Sequence, residues 1–274
     1  MGWTEGENLR IDVRWNAGDG ILASTYAAQL MGLMPDVILA RSTVNLTAIQ
    51  QANSIAPVVF VGILDPVAQG FVASMRQPGG NLTGFSLLEI SLGGKWLDLL
   101  KNAAPRFERV AIMFDPETAP YWKFFMQAIE AAAPSLGVQA IAVPVRATAD
   151  IEPALESFGR QPNGGLILTS DTFTNLRYSL IANRAGRHSL PSIASGVLFA
   201  RNGGLLSYGS DIELADEYRR AAIYVDRILT GSKPGDLPVQ TTNQYKFAIN
   251  LKTAKALGLT PPQTHLATAN EVID

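Results

Sequence analysis

The sequence predicts an α/β protein built from two doubly wound lobes, and two observations support this prediction. Short apolar runs that suit buried strands alternate with segments of helical periodicity along the 274 residues. Strand–helix–strand repetition of this kind builds parallel sheets with helices on both faces. Glycine-rich breaks interrupt the pattern at three places, and each break can carry one crossing of the chain between two lobes.

The predicted strands are mostly β-branched and apolar, as sheets covered on both faces require. The first strand differs, because Ile11, Val13 and Trp15 alternate with Asp12 and Arg14, which is typical of a half-exposed strand. The other strands are predicted at 36–40, 57–61, 110–114, 138–142, 165–169 and 191–194. Helices are predicted at 20–33, 44–54, 121–136, 174–186 and 216–229.

The breaks at 76–94, 202–204 and 231–235 define the predicted lobe boundaries. The predicted lobes have two segments each, with lobe one at 1–88 plus 197–232 and lobe two at 89–196 plus 233–274.

Composition excludes several classes of protein. The net charge of −2 lacks the basic footprint of a nucleic-acid-binding protein. The absence of cysteine excludes disulfides, thiolate metal sites and cysteine nucleophiles. No run approaches the ~20 apolar residues of a membrane span, and no secretory signal is expected within this chain. Enzyme motifs and clustered metal ligands are also missing, so we expect no catalytic residues, no metal and no cofactor.

Polar residues follow the predicted strands of lobe one. Ser42 and Thr43 lie between a strand and a helix, where their hydroxyls suit either a helix cap or a ligand carboxylate. Asp65 precedes Pro66, and the pair suits a helix start, although a carboxylate facing a cleft also suits an ammonium group.

Polar residues also follow the predicted strands of lobe two and the glycine pair at 203–204. Asp115 follows the strand at 110–114 and has the same two candidate roles as Asp65. Asp171, Thr172 and Phe173 combine an acid, a hydroxyl and a ring that suits either an apolar ligand or the helix core. Tyr208 follows a glycine pair and is a candidate to close the cleft.

One motif favours a different function. Residues 18–23 match the G-x-G-x-x-A pattern of dinucleotide-binding loops. That fingerprint belongs after a fully buried strand, whereas the strand at 11–15 carries charges. No acidic residue ends the next strand, where Arg41 stands instead, although an arginine suits a 2′-phosphate. A nucleotide-using α/β enzyme therefore stays as an alternative hypothesis.

Several segments together resemble a known family. They are GWTEGENL at 2–9, DPV at 65–67, PGGNLTG at 78–84, GGLLSYG at 203–209, DLPV at 236–239 and INLKTAKALGL at 249–259. In this order they resemble the ABC transporter substrate-binding family that includes receptors for tryptophan and other aromatic amino acids. The resemblance covers essentially the whole chain.

The resemblance implies a type I periplasmic-binding-protein fold, with two Rossmann-like lobes that close over a ligand through a three-segment hinge. It implies a solute receptor that works with an ABC permease in the periplasm and binds an amino acid or a related small carboxylate. The ligand-binding residues that it implies are Ser42, Thr43, Asp65 and Tyr208 in lobe one, and Asp115, Tyr121, Asp171, Thr172 and Phe173 in lobe two.

One departure from the family concerns the start of the chain. Family members carry a signal peptide, a strand and a helix before the segment that matches residues 2–9. We therefore expect lobe one to lack its first strand, and the family resemblance alone supports export. A cytoplasmic sensor domain that reuses the same fold is a further alternative.

Overall fold

A computed structural model of the chain describes residues 2–52, 55–86, 92–210, 214–241 and 245–274. The chain forms two compact units. Unit 1 contains Met1–Leu87 and Ile212–Thr242, and unit 2 contains Leu88–Asp211 and Asn243–Asp274. The chain therefore passes from one unit to the other three times, as the two-lobe prediction requires.

Unit 1 is a parallel sheet with helices on both faces. Its elements, numbered along the whole chain, are α1 (Gly20–Gly32), β1 (Ile38–Arg41), α2 (Thr43–Gln51), β2 (Val58–Ile63), β3 (Leu82–Ser86), α9 (Leu214–Leu229) and β9 (Gln240–Thr241). The strand order is β1-β2-β3-β9, and every pair of neighbours is parallel.

Alternate residues of β2 face opposite sides of this sheet. Val58 and Phe60 pack in one apolar cluster with residues of α1 and α2. Val59 and Val61 pack in a second cluster with residues of α9. All four side chains are fully buried. This explains why the strand is a continuous apolar run, because both of its faces are covered.

Unit 2 contains a seven-stranded sheet. Its elements are α3 (Leu92–Ala103), β4 (Arg109–Phe114), α4 (Trp122–Ala132), β5 (Gln139–Pro144), α5 (Thr148–Gly159), β6 (Gly164–Leu168), α6 (Thr172–Asn175), α7 (Tyr178–Arg187), β7 (Ser192–Ala194), α8 (Val197–Arg201), β8 (Leu206–Ser210), β10 (Tyr245–Asn250), α10 (Leu251–Ala256), α11 (Gln263–Thr268) and β11 (Glu271–Ile273).

The strand order in unit 2 is β11-β10-β8-β7-β6-β4-β5. The strands from β4 to β8 run parallel, whereas β10 is antiparallel to β8 and carries β11 beside it. Met113 and Leu168 of this sheet pack in one core with Ile151, Leu155 and Ile181 of the helices. The α/β class predicted from the strand–helix alternation is confirmed.

Residues 197–211 correct the predicted boundary at 197. They were assigned to lobe one, but β8 pairs with β7 and with β10 inside the unit 2 sheet. The glycine pair at 203–204 is the turn between α8 and β8, where Gly203 has a φ of +99°. The glycine signal was a turn within a unit, and Tyr208 therefore belongs to unit 2.

Residues 233–242 correct the predicted boundary at 233. They were assigned to lobe two, but β9 pairs with β3 in the unit 1 sheet. The main-chain carbonyl of Leu237 also accepts a hydrogen bond of 2.6 Å from the Thr83 hydroxyl. Gly231, with a φ of +106°, follows the end of α9 and is again a turn within the unit.

The predicted strand at 11–15 is wrong. Ile11, Val13 and Trp15 are 53%, 52% and 80% exposed. Within the described part of the chain, no strand pairs with this segment. Alternation of apolar and charged residues favours a strand only where a neighbouring strand takes up its backbone hydrogen bonds.

Candidate functional site

Polar and aromatic residues cluster where the parallel strands of unit 2 end. Asp115 follows β4, Asp171 lies three residues after β6, Ser195 follows β7 and Ser210 ends β8. Because β10 is antiparallel to β8, its first residue, Tyr245, lies opposite Ser210 at the same edge. We call this region the unit 2 edge. In doubly wound sheets, ligands bind at this carboxyl end of the strands.

Asp171 is the centre of a buried hydrogen-bond network at the unit 2 edge. Its Oδ1 accepts bonds from the Thr174 main-chain N–H at 2.8 Å and from the Thr118 hydroxyl at 3.1 Å. Its Oδ2 accepts a bond of 2.9 Å from the Thr169 hydroxyl. Burial raises the pKa of Asp171 to about 6, against the lowering effect of these hydrogen bonds. The network fixes the carboxylate and caps α6.

Two buried tyrosines adjoin this network. The Tyr121 hydroxyl donates a hydrogen bond of 2.6 Å to the main-chain carbonyl of Ser170. Burial raises the pKa of Tyr121, and the charge of Asp171 raises it further. The Tyr178 ring lies against Gly196, and burial raises the pKa of Tyr178 to about 12. Both hydroxyls therefore stay protonated at neutral pH; that of Tyr178 is buried and has no hydrogen-bond partner among the described residues.

Asp115 and Phe173 have structural partners inside unit 2. Asp115 is 5% exposed, and its Oδ1 accepts a hydrogen bond of 2.8 Å from the main-chain N–H of Glu117. Phe173 is buried in the apolar core of the unit, and the Arg177 guanidinium lies 3.8 Å from its ring centroid. Phe173 thus has the contacts of its helix-core alternative, whereas Asp115 holds a turn and caps no helix, because α4 begins only at Trp122. Thr172 is half-buried at the start of α6.

Aromatic rings form one end of the unit 2 edge. Tyr208 stacks on Tyr245, with ring centroids 5.8 Å apart and planes at 15°, and it meets Phe247 edge-on at 6.3 Å. The main-chain carbonyl of Tyr208 accepts a hydrogen bond of 2.7 Å from the Trp96 indole. Beside this pair, the Ser210 Oγ is buried and has no hydrogen-bond partner among the described residues. Half-buried ring faces thus adjoin an unsatisfied hydroxyl.

The corresponding edge of unit 1 begins with Ser42, between β1 and α2. Ser42 has a φ of +74° and a ψ of 152°, which is a strained conformation for a residue with a side chain. Its side chain makes no capping hydrogen bond to α2, so the first N–H groups of this helix lack a hydroxyl cap. Thr43, the first residue of α2, is 5% exposed. We call this region, together with the ends of β2 and β3, the unit 1 edge.

Asp65 follows β2 at the unit 1 edge and has a local partner. Its Oδ1 accepts a hydrogen bond of 3.0 Å from the main-chain N–H of Ala68. The segment after Pro66 forms turns and not the helix that the Asp-Pro pair predicted. The carboxylate therefore stabilises a turn, which corresponds to the capping alternative.

Glu217, in the first turn of α9, is a buried carboxylate that the sequence did not single out. The residue is 3% exposed, and its Oε2 has no hydrogen-bond partner among the described residues. Burial raises the pKa of Glu217, while the charges of Arg41 and Arg220 lower it. Arg41 ends β1, and Arg220 lies over the Phe85 ring of β3 at 4.9 Å from its centroid. These neighbours place Glu217 at the unit 1 edge.

Other classes of site find no support within the described segments. No described helix is long and apolar enough to cross a membrane. No cluster of three or more acidic or histidine side chains among these residues is suited to hold a metal ion.

Comparison with known proteins identifies the family. The model of the family described as ABC transporter substrate binding protein matches residues 1–273. The chain belongs to this family.

Relatives of this substrate-binding protein include proteins with characterised ligands. It is 25% identical over 259 residues to the tyrosine-binding protein of Clostridioides difficile (strain R20291), covering 94% of this chain and 73% of that protein. A crystal structure of a conserved domain protein from Vibrio cholerae O1 biovar eltor is 26% identical, with a TM-score of 0.89 over 99% of this chain and 90% of that chain.

A third relative shares the fold. The crystal structure of the ABC domain in complex with L-Trp from Streptococcus pneumoniae has a TM-score of 0.82 and 23% identity, and the match covers 93% of this chain and 85% of that chain. Together the comparisons confirm the two-lobed α/β fold and the family function, which is that of a substrate-binding protein of an ABC transporter.

In this substrate-binding protein the G-x-G-x-x-A motif has a local structural role. Asp19 caps α1, and its Oδ1 accepts hydrogen bonds of 2.8 and 2.9 Å from the N–H groups of Ile21 and Leu22. An acidic side chain thus occupies the helix N–H groups that a phosphate would need. The segment before the motif is also not a strand, so the nucleotide alternative loses both of its structural requirements.

The structure groups the predicted site residues by unit. Asp115, Tyr121, Asp171, Thr172 and Phe173 lie in unit 2, where Tyr208 joins them, and Ser42, Thr43 and Asp65 lie in unit 1. Sequence reasoning missed Thr118, Tyr178, Tyr245 and Glu217. Thr118 could have been found from the sequence, because it follows Asp115 by three residues. The sequence around Tyr178, Tyr245 and Glu217 has no distinctive spacing of polar residues that would indicate a site.

Proposed function

We propose that this protein is the receptor of an ABC importer for an aromatic amino acid. In this proposal the protein holds its ligand without transforming it and works in the periplasm with the permease of the importer. The observation that carries the proposal is the Tyr208–Tyr245 pair, which presents half-buried aromatic faces beside the Ser210 hydroxyl, a group with no hydrogen-bond partner among the described residues. The tyrosine-binding relative supports an amino acid as the ligand class.

Recognition of the aromatic side chain is assigned to the unit 2 edge. A phenol or indole ring that stacks on the Tyr208–Tyr245 pair gains about 0.5–1.5 kcal/mol beyond its area burial. The Ser210 hydroxyl suits the polar end of such a ring, because a buried phenol O–H or indole N–H needs a hydrogen-bond partner. A tyrosine or tryptophan side chain combines both features.

Recognition of the ligand carboxylate is assigned to the unit 1 edge. The Ser42 hydroxyl, Thr43 and the first N–H groups of α2 offer donors and the positive end of a helix dipole. Because the Ser42 side chain does not cap the helix, a carboxylate would not have to displace it.

Predicted site residues that already have partners within their own unit are assigned supporting roles. In this proposal Asp65, Asp115 and Asp171 hold loops through the hydrogen bonds described above, and Phe173 holds α6 on the core. Tyr121 and Thr172 line the unit 2 edge beside Asp171.

The chemistry of the unit 2 edge supports binding and not catalysis. The raised pKa values of Tyr121 and Tyr178 make both hydroxyls poor bases at neutral pH. Such hydroxyls orient a ligand but do not activate a nucleophile.

Isothermal titration of the full chain with L-tyrosine, L-tryptophan, L-phenylalanine, L-leucine, L-glutamate and NADP tests the function. We expect saturable binding of one or more aromatic amino acids. A ligand at 100 times its dissociation constant should add about 2.7 kcal/mol to the free energy of unfolding. Binding of NADP alone would contradict the proposal, and binding of leucine or glutamate alone would contradict its aromatic part.

A matched pair of variants tests the aromatic assignment. Tyr208→Leu keeps apolar bulk but removes the stacking ring, so we expect aromatic amino acids to bind about tenfold more weakly. Leu198→Ala changes an exposed side chain of α8 in the same unit and should leave affinity unchanged. Equal affinities of the two variants would remove Tyr208 from the site.

A further inference from the structure

The carboxylates at the two strand edges differ in how they are satisfied. Asp65, Asp115 and Asp171 each accept a hydrogen bond from a main-chain N–H within their own unit. Asp171 accepts two more from hydroxyl groups. Glu217 is buried like Asp171, yet its Oε2 has no hydrogen-bond partner among the described residues.

An unpartnered buried carboxylate is costly and therefore needs an explanation. Removing a charged group from water without a compensating partner destabilises the folded state, so buried charges are usually paired. Within the described residues, Glu217 takes part in no ion pair. A buried carboxylate without a partner in the described chain, beside the ends of β1 and β3, is suited to receive a cation from outside the chain.

Arg41 supplies a complementary charge at the same edge. It ends β1, its side chain is exposed, and no ion pair of the described chain includes it. Arg41 and Glu217 interact electrostatically but make no direct salt bridge. The unit 1 edge thus presents a carboxylate and a guanidinium that make no salt bridge with each other, and such a pair of opposite charges is complementary to a zwitterion.

We propose that Glu217 receives the α-ammonium group of the ligand and that Arg41, next to Ser42 and the start of α2, receives its α-carboxylate. This assignment rests on the proposed amino-acid receptor function and deepens it, because it names the groups that recognise the backbone of the amino acid. The Oε2 of Glu217, which has no partner in the described segments, gains one when the ligand binds. A ligand that lacks the ammonium group leaves the Glu217 carboxylate unpaired, and one that lacks the carboxylate leaves the Arg41 guanidinium unpaired. Both kinds of ligand are therefore bound more weakly.

Glu217→Gln tests the assignment, with titrations of L-tryptophan and of 3-indolepropionate, which lacks only the ammonium group. The wild-type chain should bind 3-indolepropionate at least about tenfold more weakly than L-tryptophan. In Glu217→Gln the affinity for L-tryptophan should fall at least about tenfold, while that for 3-indolepropionate should change less than about twofold. If L-tyrosine is the tighter ligand, it and its des-amino analogue replace this pair.

Asp216→Asn is the matched control, because it removes one negative charge from the same turn of α9 at an exposed position. It should bind both compounds like the wild type. Arg41→Gln should weaken L-tryptophan about tenfold but not tryptamine, which lacks the carboxylate.

Two outcomes overturn the assignment. Equal losses for L-tryptophan and 3-indolepropionate in Glu217→Gln, together with a lower melting temperature, would show a purely structural role. Unchanged affinity for both would show no role at all. If the wild-type chain binds no amino acid, the proposed function itself fails, and this result is distinct because it appears before any variant is compared.

Discussion

The unit 2 edge and the unit 1 edge both lie where parallel strands end, and each holds a buried carboxylate, but the two carboxylates differ in their hydrogen bonds. At the unit 2 edge, Asp171 accepts three hydrogen bonds from its own unit. At the unit 1 edge, one oxygen of Glu217 has no hydrogen-bond partner in the described part of the chain, and the Ser42 side chain leaves α2 uncapped. A satisfied network holds its geometry without a ligand, whereas unsatisfied groups gain partners on binding. The difference suggests a pre-organised support in unit 2 and charge recognition in unit 1.

Gly209→Ala should produce the largest change in the free energy of unfolding, and it tests the rigidity of the unit 2 edge. A Cβ at Gly209 would lie 2.1 Å from the main-chain oxygen of Ser195, so backbone would have to move. We expect a loss of at least about 3 kcal/mol in the free energy of unfolding, measured by urea denaturation.

The control for this prediction is Gly186→Ala in α7 of the same unit. No atom lies within 4 Å of a Cβ at that position, so the change should stabilise the protein by up to about 1 kcal/mol. A loss below about 1 kcal/mol in Gly209→Ala would mean that the edge relaxes and is not pre-organised.

Asp171→Ala and Asp65→Ala compare the two edges directly. Asp171→Ala removes a helix cap and leaves buried threonine hydroxyls without their acceptor, which should cost about 3 kcal/mol. Asp65→Ala removes one hydrogen bond at a half-buried turn and should cost about 1 kcal/mol. Both values come from chemical denaturation, and equal losses would remove the proposed contrast.

The pH dependence of stability sharpens the comparison further. The pKa of Asp171 is raised to about 6 in the folded protein, against about 3.9 in an unfolded chain. Folding therefore favours the protonated carboxyl group of Asp171. The stability that this group contributes is fully present below the unfolded pKa and is lost as pH rises through 6, so the free energy of unfolding of the wild type falls over this range. Between pH 4 and pH 7, the stability of Asp171→Asn relative to wild type should rise by about 2 kcal/mol. A constant difference across this range would show that Asp171 titrates normally.

Asp216→Asn should have the smallest effect. Its ion pair with Arg219 is exposed, and exposed pairs contribute roughly 0–1 kcal/mol. We expect a change in the free energy of unfolding below about 0.5 kcal/mol in a urea titration. A larger loss would mean that the first turn of α9 is sensitive to any change of charge, and Glu217→Gln would then need Asp226→Asn as its control.

The fold was largely predictable because both faces of these sheets are covered. Covered strands such as β2 and β4 must be continuous apolar runs, and those runs are visible in the sequence. The exposed segment at 11–15 had the periodicity of a strand but no partner to pair with, which no local pattern reveals. Glycines at 203 and 231 marked turns, and a turn within a unit looks the same in sequence as a crossing between units.

The sequence by itself determined the α/β class, the presence of two units and the family, because apolar periodicity and ordered motifs are properties of the chain read in order. It also placed polar residues at strand ends, since strands and their following loops are contiguous. Only the tertiary structure decided which of those polar groups are already satisfied. Hydrogen bonds such as that from Thr118 to Asp171, 53 residues apart, depend on burial and on long-range neighbours, and so does the lack of a partner for Glu217 Oε2 among the described residues. Neither of these is written in local sequence, because they arise only when distant segments pack together.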